Sequence, residues 1–226
     1  MTALRKGSSA DAPECGVFAT TAVEAGVVDL RFRALVGEDG WARLPEAVQR
    51  RFSRRLAPGD VAFYVGEVVE TRLSRVGRVL SFLARAIGAP LPLDEAAQGG
   101  ATVAVMENDG LGGQSWTRTY ARPGRFPQVI HSAKCFTGPT GLEERVGGGL
   151  GMSLSVAEEG GALVFRSAGY FFSAGHLRIA LPRVLMPGDM EIVHEDEGGG
   201  AFLFKLKLRH PRLGVLVQQT ARFRDA

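Results

Sequence analysis

The sequence predicts a mainly β protein, an antiparallel curved sheet or closed β-barrel of about 8–10 strands with two helices in the N-terminal half, lipocalin-like in outline. Three observations carry this. Beyond Gly100 the apolar period changes from 3.6 to 2 and stays there. The alternating runs are separated by turn sequences drawn from 30 glycines. No helix-length segment lies between those runs, so the crossover that parallel strands require is missing and neighbours must pair antiparallel. A sheet with so many strands curls or closes to remove its edges, and a barrel of about eight strands encloses side chains or one small ligand.

The elements follow in order. Residues 1–26 carry Ser, Ala, Gly and Thr without a sustained period and read as a flexible leader, and residues 27–226 as a single β-rich domain. Leu30, Ala34 and Leu35 share a helical face that Gly37 and Gly40 stop. Pro45 suits a first helical turn, and Glu46 lies where a negative charge favours the helix dipole. Val48, Phe52 and Leu56 recur every fourth residue, with Arg50, Arg51, Arg54 and Arg55 on other faces, until Pro58 and Gly59 close the helix. Residues 61–73 read as a strand. Val76, Val79, Leu80, Leu83 and Ile87 fit one face of a second helix, with Arg75, Arg78 and Arg85 elsewhere and a stop at Gly88 and Pro90. Both helices are expected over one barrel opening, the amphipathic one as a lid. Strands are then read at 102–106, 115–120, 128–136, 150–156, 163–172, 190–194, 202–208 and 213–223, with turns at 109–113, 159–161, 173–175 and 198–200.

Composition narrows the function. Hydrophobic residues at 45% and charged residues at 23% are ordinary for a folded domain and exclude a mostly disordered chain. The net charge of +3 is a weak overall field, and aromatics do not interleave with the basic helix, so nucleic acid is not an expected partner. Two cysteines, Cys15 and Cys135, cannot form a disulfide framework or a CxxC zinc site. No signal-peptide h-region and no transmembrane stretch is read, which points to a cytoplasmic protein.

Nucleotide and metal chemistry find little support. Gly110, Gly112 and Gly113 lack the third glycine of a dinucleotide loop, and 147–151 precedes a strand where that loop needs a helix. His131, His176, His194 and His210 have no ligand spacing among themselves; His194, Glu195 and Asp196 are read as a polar cluster facing a turn. No metal or cofactor is expected. The informative strand holds Trp116, Arg118 and Tyr120 on one face. If that face is inward, Arg118 is a cation inside an apolar barrel and needs a carboxylate, for which Glu144 and Glu191 are the candidates. Such an Arg anchors an acidic ligand head group, such as a fatty acid carboxylate; the structural alternative, which we prefer, is an outward solvated Arg or an internal ion pair. For Arg50, Arg51, Arg54 and Arg55 a solvated face packed on the barrel is preferred over contact with an anionic membrane surface.

Several segments carry a family resemblance. They are the run Phe32 through Gly37 with Trp41, Leu44 and Pro45, the helix from Arg78 to Pro90, Trp116 with Thr117 and Arg118, and Leu142 through Arg145. Leu181 and Pro182 to Pro187, Glu191, and Phe202 to Gly214 complete the set. Over roughly 29–223 the chain resembles the bacterial domain-of-unknown-function 4166 family. The resemblance implies a context in which such domains often sit behind a saccharopine-dehydrogenase-like nucleotide-binding domain, and no activity. The expectation is therefore a non-enzymatic binding module that holds an apolar or amphipathic small molecule, with Trp116, Arg118, Tyr120, Glu144 and Glu191 as candidate ligand-binding residues. The alternatives are an enzyme using Arg118 with Glu144 or Glu191 in the same cavity, and a docking domain for a separate dehydrogenase-like protein.

Overall fold

The computed structural model describes residues 28–88, 90–94 and 99–225, so the leader expected over 1–26 and the position of Cys15 lie outside the described residues. Three short helices come first: α1 (Arg31–Val36), α2 (Glu38–Arg43) and α3 (Glu46–Phe52). Strand β1 (Ala62–Leu73) leads into α4 (Arg75–Leu83). Ten strands follow: β2 (Gly100–Asn108), β3 (Gly113–Tyr120), β4 (Gln128–Cys135), β5 (Glu143–Arg145), β6 (Leu150–Glu159), β7 (Ala162–Ala174), β8 (Leu177–Ala180), β9 (Asp189–Gly198), β10 (Ala201–His210) and β11 (Gly214–Asp225).

The sheet runs β6-β5-β4-β3-β2-β1-β11-β10-β9-β7-β8, and β6 also pairs with β7. That pairing closes a barrel of ten antiparallel strands and leaves β8 outside it, paired to the far end of β7. The predicted fold class is the one found. Inward positions alternate as the period of two requires: Gln128, Ile130, Ser132 and Lys134 on β4, and Met190, Ile192 and His194 on β9, are buried.

The two barrel ends are closed differently, and here the reading of both helices over one opening is corrected. Helices α1 to α3 plug the end where β1 begins. Phe32 and Phe52 insert edge-to-face at 5.1 Å, and Phe52 continues to His194 at 5.0 Å and His194 to Phe202 at 4.4 Å. Helix α4 crosses the opposite end, where β1 stops. Ser74 caps it by accepting from the Gly77 amide at 3.0 Å, and the Ser74 amide donates to the Leu216 carbonyl at 2.9 Å. A chain that runs from α3 through the full length of β1 before reaching α4 must place the two at opposite ends.

The buried face of α4 is also corrected. Its buried residues are Gly77 and Ser81, with Ala84 just after it, while Val76, Val79, Phe82 and Leu83 are exposed. A Cβ at Gly77 would overlap the Leu216 carbonyl oxygen. The stripe of small residues lets the helix backbone lie against β11, and this close approach leaves Val76, Val79, Phe82 and Leu83 in solvent while Leu80 and Ile87 stay half-buried against the core.

Candidate functional site: a charged layer beneath an apolar cavity

The barrel interior has a polar layer in its middle. Lys134 on β4 and Glu144 on β5 are direct cross-strand partners, and Arg118 reaches them from β3. Arg118 Nη2 donates to Ser132 Oγ at 2.6 Å and to Glu144 Oε1 at 3.0 Å, and Lys134 Nζ donates to Glu144 Oε2 at 3.4 Å. Lys134 Nζ also stands 4.6 Å from the Trp116 ring centroid and 5.6 Å from that of Phe165. All three ionisable groups are buried. Arg118 Nε has no hydrogen-bond partner.

The electrostatics follow from burial and proximity. Burial opposes ionisation of Glu144, but the Lys134 and Arg118 cations override it and hold the carboxyl at about 2. Lys134 moves down: burial penalises its ammonium, and Glu144 opposes that only in part. One carboxylate thus serves two cationic side chains, and the layer is short of negative charge.

An apolar cavity of about 410 Å³ lies between this layer and α4. Leu80, Ala84 and Ile87 line it from the helix side, Ile130, Met152, Ile192 and Leu206 from the barrel, and Arg118, Ser132, Glu144 and Tyr170 supply its polar atoms. Tyr170 donates to the Gly188 carbonyl at 2.9 Å, and burial pushes its hydroxyl up to about 12. Leu185, on a 3-10 turn at Arg183–Leu185, lines the cavity yet is 65% exposed, which puts the mouth between that turn and α4. On the plug side of Arg118 a space of only about 50 Å³ remains, lined by Trp116, His194 and Phe202 among others. Burial, aided by the charge of Arg51, holds His194 down at about 3, and its Nε2 has no partner.

The five sequence-derived residues separate in this geometry. Arg118 and Glu144 line the cavity and pair with each other. Trp116 faces inward on the plug side, against Lys134. Tyr120 is buried but lines a different cleft, beside Gln128 and Gln219 at the start of β4. Glu191 lies outside the cavity: it alternates with Met190 and Ile192 on β9 and pairs with Arg166 at 2.9 Å on the outer surface. Glu143 likewise alternates with Glu144 and is held outside by Arg178 at 2.6 Å. The basic helix is largely spent internally: Arg51 pairs with Asp196 and Asp225, both at 3.1 Å, and stacks on Phe202, Arg50 pairs with Glu46, and Arg55 with Asp109 at 3.5 Å. His194 is a core residue, not part of a turn.

A family model described as Domain of unknown function (DUF4166) matches residues 44–223. The chain belongs to that family. No curated protein and no solved structure matches it. The match spans the DUF4166 barrel from the start of α3 to the end of β11 and takes in every residue of the charged layer. Sequence reasoning missed Ser132, Lys134 and Tyr170. The signal for Lys134 was its register, two residues on from Ser132 and four from Ile130, the inward face of β4. Among the described residues of this DUF4166 chain no group of three His, Cys, Asp or Glu side chains is placed to hold a metal ion, and no helix is long and apolar enough to cross a membrane.

Proposed function

We propose that the protein is a binding module whose barrel holds an amphipathic small molecule, with its apolar body in the cavity beneath α4 and an acidic head group at Arg118. The observation that carries this is the pairing of a largely apolar 410 Å³ cavity with a buried layer in which Arg118 and Lys134 share one carboxylate. Cavities of this size suit small ligands, and a few convergent polar groups fix their orientation. A carboxylate head group would accept from the unpartnered Arg118 Nε, balance the layer's charge and raise the depressed Lys134. An acid–base role for Glu144 is less well supported, because a carboxyl held at about 2 is a weak base at neutral pH.

The test is a titration with a fluorescent long-chain fatty acid, alongside its methyl ester, on the full chain and on Arg118→Ala. Saturable binding of the acid, weakened at least about tenfold for the ester and for the variant, is expected from the loss of a charge-assisted hydrogen bond. Equal affinity for acid and ester, or an unchanged Arg118→Ala, would overturn the head-group assignment. Native mass spectrometry of the purified chain, with solvent extraction of any bound mass, identifies the natural ligand class.

A further inference from the structure

The cavity mouth is ringed by exposed apolar side chains. Val79, Phe82 and Leu83 project from α4 at 59%, 63% and 63% exposure. Leu177 at the start of β8, Val184 in the 3-10 turn and Leu213 before β11 are 57%, 85% and 54% exposed. The contacts place these segments around one end. The α4 cap is seated on Leu216, three residues past Leu213. Val184 lines a groove with His210 and Pro211 of the β10–β11 turn, and Leu185 faces Leu80 across the cavity. Ser173, at the β7 end of the β7–β8 hairpin, abuts Gly149, and the neighbouring Gly147 and Gly148 abut Ile87 just beyond α4.

The same segments carry Arg75, Arg85, Arg183, Arg209 and Arg212, none of which forms an ion pair among the described residues. Arg178, also there, is neutralised by Glu143, and Asp189 is the carboxylate that shares the groove with Arg183 and Arg212. At the other barrel end most arginines are paired, Arg31, Arg43, Arg50, Arg51 and Arg55 among them, while Arg54 and Arg224 form no ion pair among the described residues. Large apolar side chains at the tip of several turns, surrounded by cations with few acidic neighbours, match an anionic lipid surface, where the side chains enter the interface and the cations meet phosphate head groups.

We propose that this end of the barrel docks on an anionic bilayer, which opens the cavity mouth toward the lipid. The occupant is a membrane and not a protein, because the exposed apolar side chains come from several separate segments around an opening and the charges among them are mainly cationic, five arginines without an ion pair against Asp189. This surface stands independently of the cavity's ligand.

The experiment is co-sedimentation of the full chain with phosphatidylcholine vesicles and with phosphatidylcholine–phosphatidylglycerol vesicles, at low and high salt. Pelleting with the anionic vesicles alone, reduced by salt, is expected. Phe82→Asp with Leu83→Asp, and separately Arg75→Glu with Arg85→Glu, should each lower the partition coefficient at least about tenfold. Both pairs are exposed, and circular dichroism verifies their folding. Arg50→Glu at the plug end is the positional control and should change little. Absence of pelleting with anionic vesicles at low salt, equal pelleting with neutral ones, or equal loss in Arg50→Glu would overturn the proposal; so would rim variants that pellet like the parent chain. The fatty acid titration, done without vesicles, reads the cavity alone, so failure of docking and failure of ligand binding register separately.

Discussion

Glu144 is the residue on which the interior depends. Buried ion pairs cost desolvation that their attraction only partly returns, but removing one partner leaves an uncompensated charge, worth about 3–5 kcal/mol. Here the removal leaves two. Glu144→Gln should therefore lower stability in urea by about 3 kcal/mol or more, whereas Glu191→Gln on the outer surface should cost under about 1 kcal/mol. An acidic ligand that supplies the missing charge should raise the midpoint of Glu144→Gln more than that of the parent chain. A smaller rise in the variant would mean that the head group does not sit beside this layer. The pairing of Arg118 with Glu144 was legible as a need: an inward Arg in a β protein demands a carboxylate. Which carboxylate was not, because Glu143, Glu144 and Glu191 are equivalent until strand register is known, and register turns on β5, only three residues long.

At the scale of elements, the period of two exposed nearly every strand, since each strand buries one face and shows the other. Helix α4 exposes where that reasoning stops. Val76, Val79, Leu80, Leu83 and Ile87 form a regular apolar stripe, and a stripe ordinarily faces the core. Only Leu80 and Ile87 of that stripe pack against the core; the helix seats on β11 through Gly77, Ser81 and Ala84, because backbone proximity to Leu216 outweighs side-chain size, and Val76, Val79 and Leu83 are left exposed. This gives a prediction of definite sign. In a solvated helix Gly→Ala is stabilising by up to about 1 kcal/mol. At position 77 the new methyl must push α4 off β11, so Gly77→Ala should destabilise by about 1–3 kcal/mol. Val79→Ala, on the exposed stripe, should stay within about 0.5 kcal/mol. Urea unfolding of the two variants checks both, and a Gly77→Ala chain more stable than its parent would remove the seat on Leu216.

For the whole molecule, the two barrel halves contribute to one acid response. Glu144 in the layer is held at about 2 against an ordinary value of 4.5, so the stability it contributes is present above pH 4.5 and is lost as pH falls toward 2. His194 in the plug is held at about 3 against 6.5. The folded state needs its neutral form while the unfolded chain takes up a proton, so stability falls as pH drops below 6.5 and the loss is complete only below about 3. Both groups therefore make folding stability rise with pH, and they occupy different windows. Between pH 6 and 5 the slope belongs mainly to His194 and approaches about 1.4 kcal/mol per pH unit. His194 sits at 5.0 Å from Phe52 and 4.4 Å from Phe202 with Nε2 unpartnered, so a phenyl ring fits its surroundings chemically. His194→Phe should flatten the curve of unfolding free energy against pH from 6 to 5 while the fall below pH 4.5 from Glu144 persists. Fluorescence-monitored urea titrations at half-unit pH steps resolve the two. An unchanged slope in the variant would show that His194 takes up its proton without opening the plug, and the aromatic seal over the barrel would then be looser than the packing of Phe32, Phe52 and Phe202 implies.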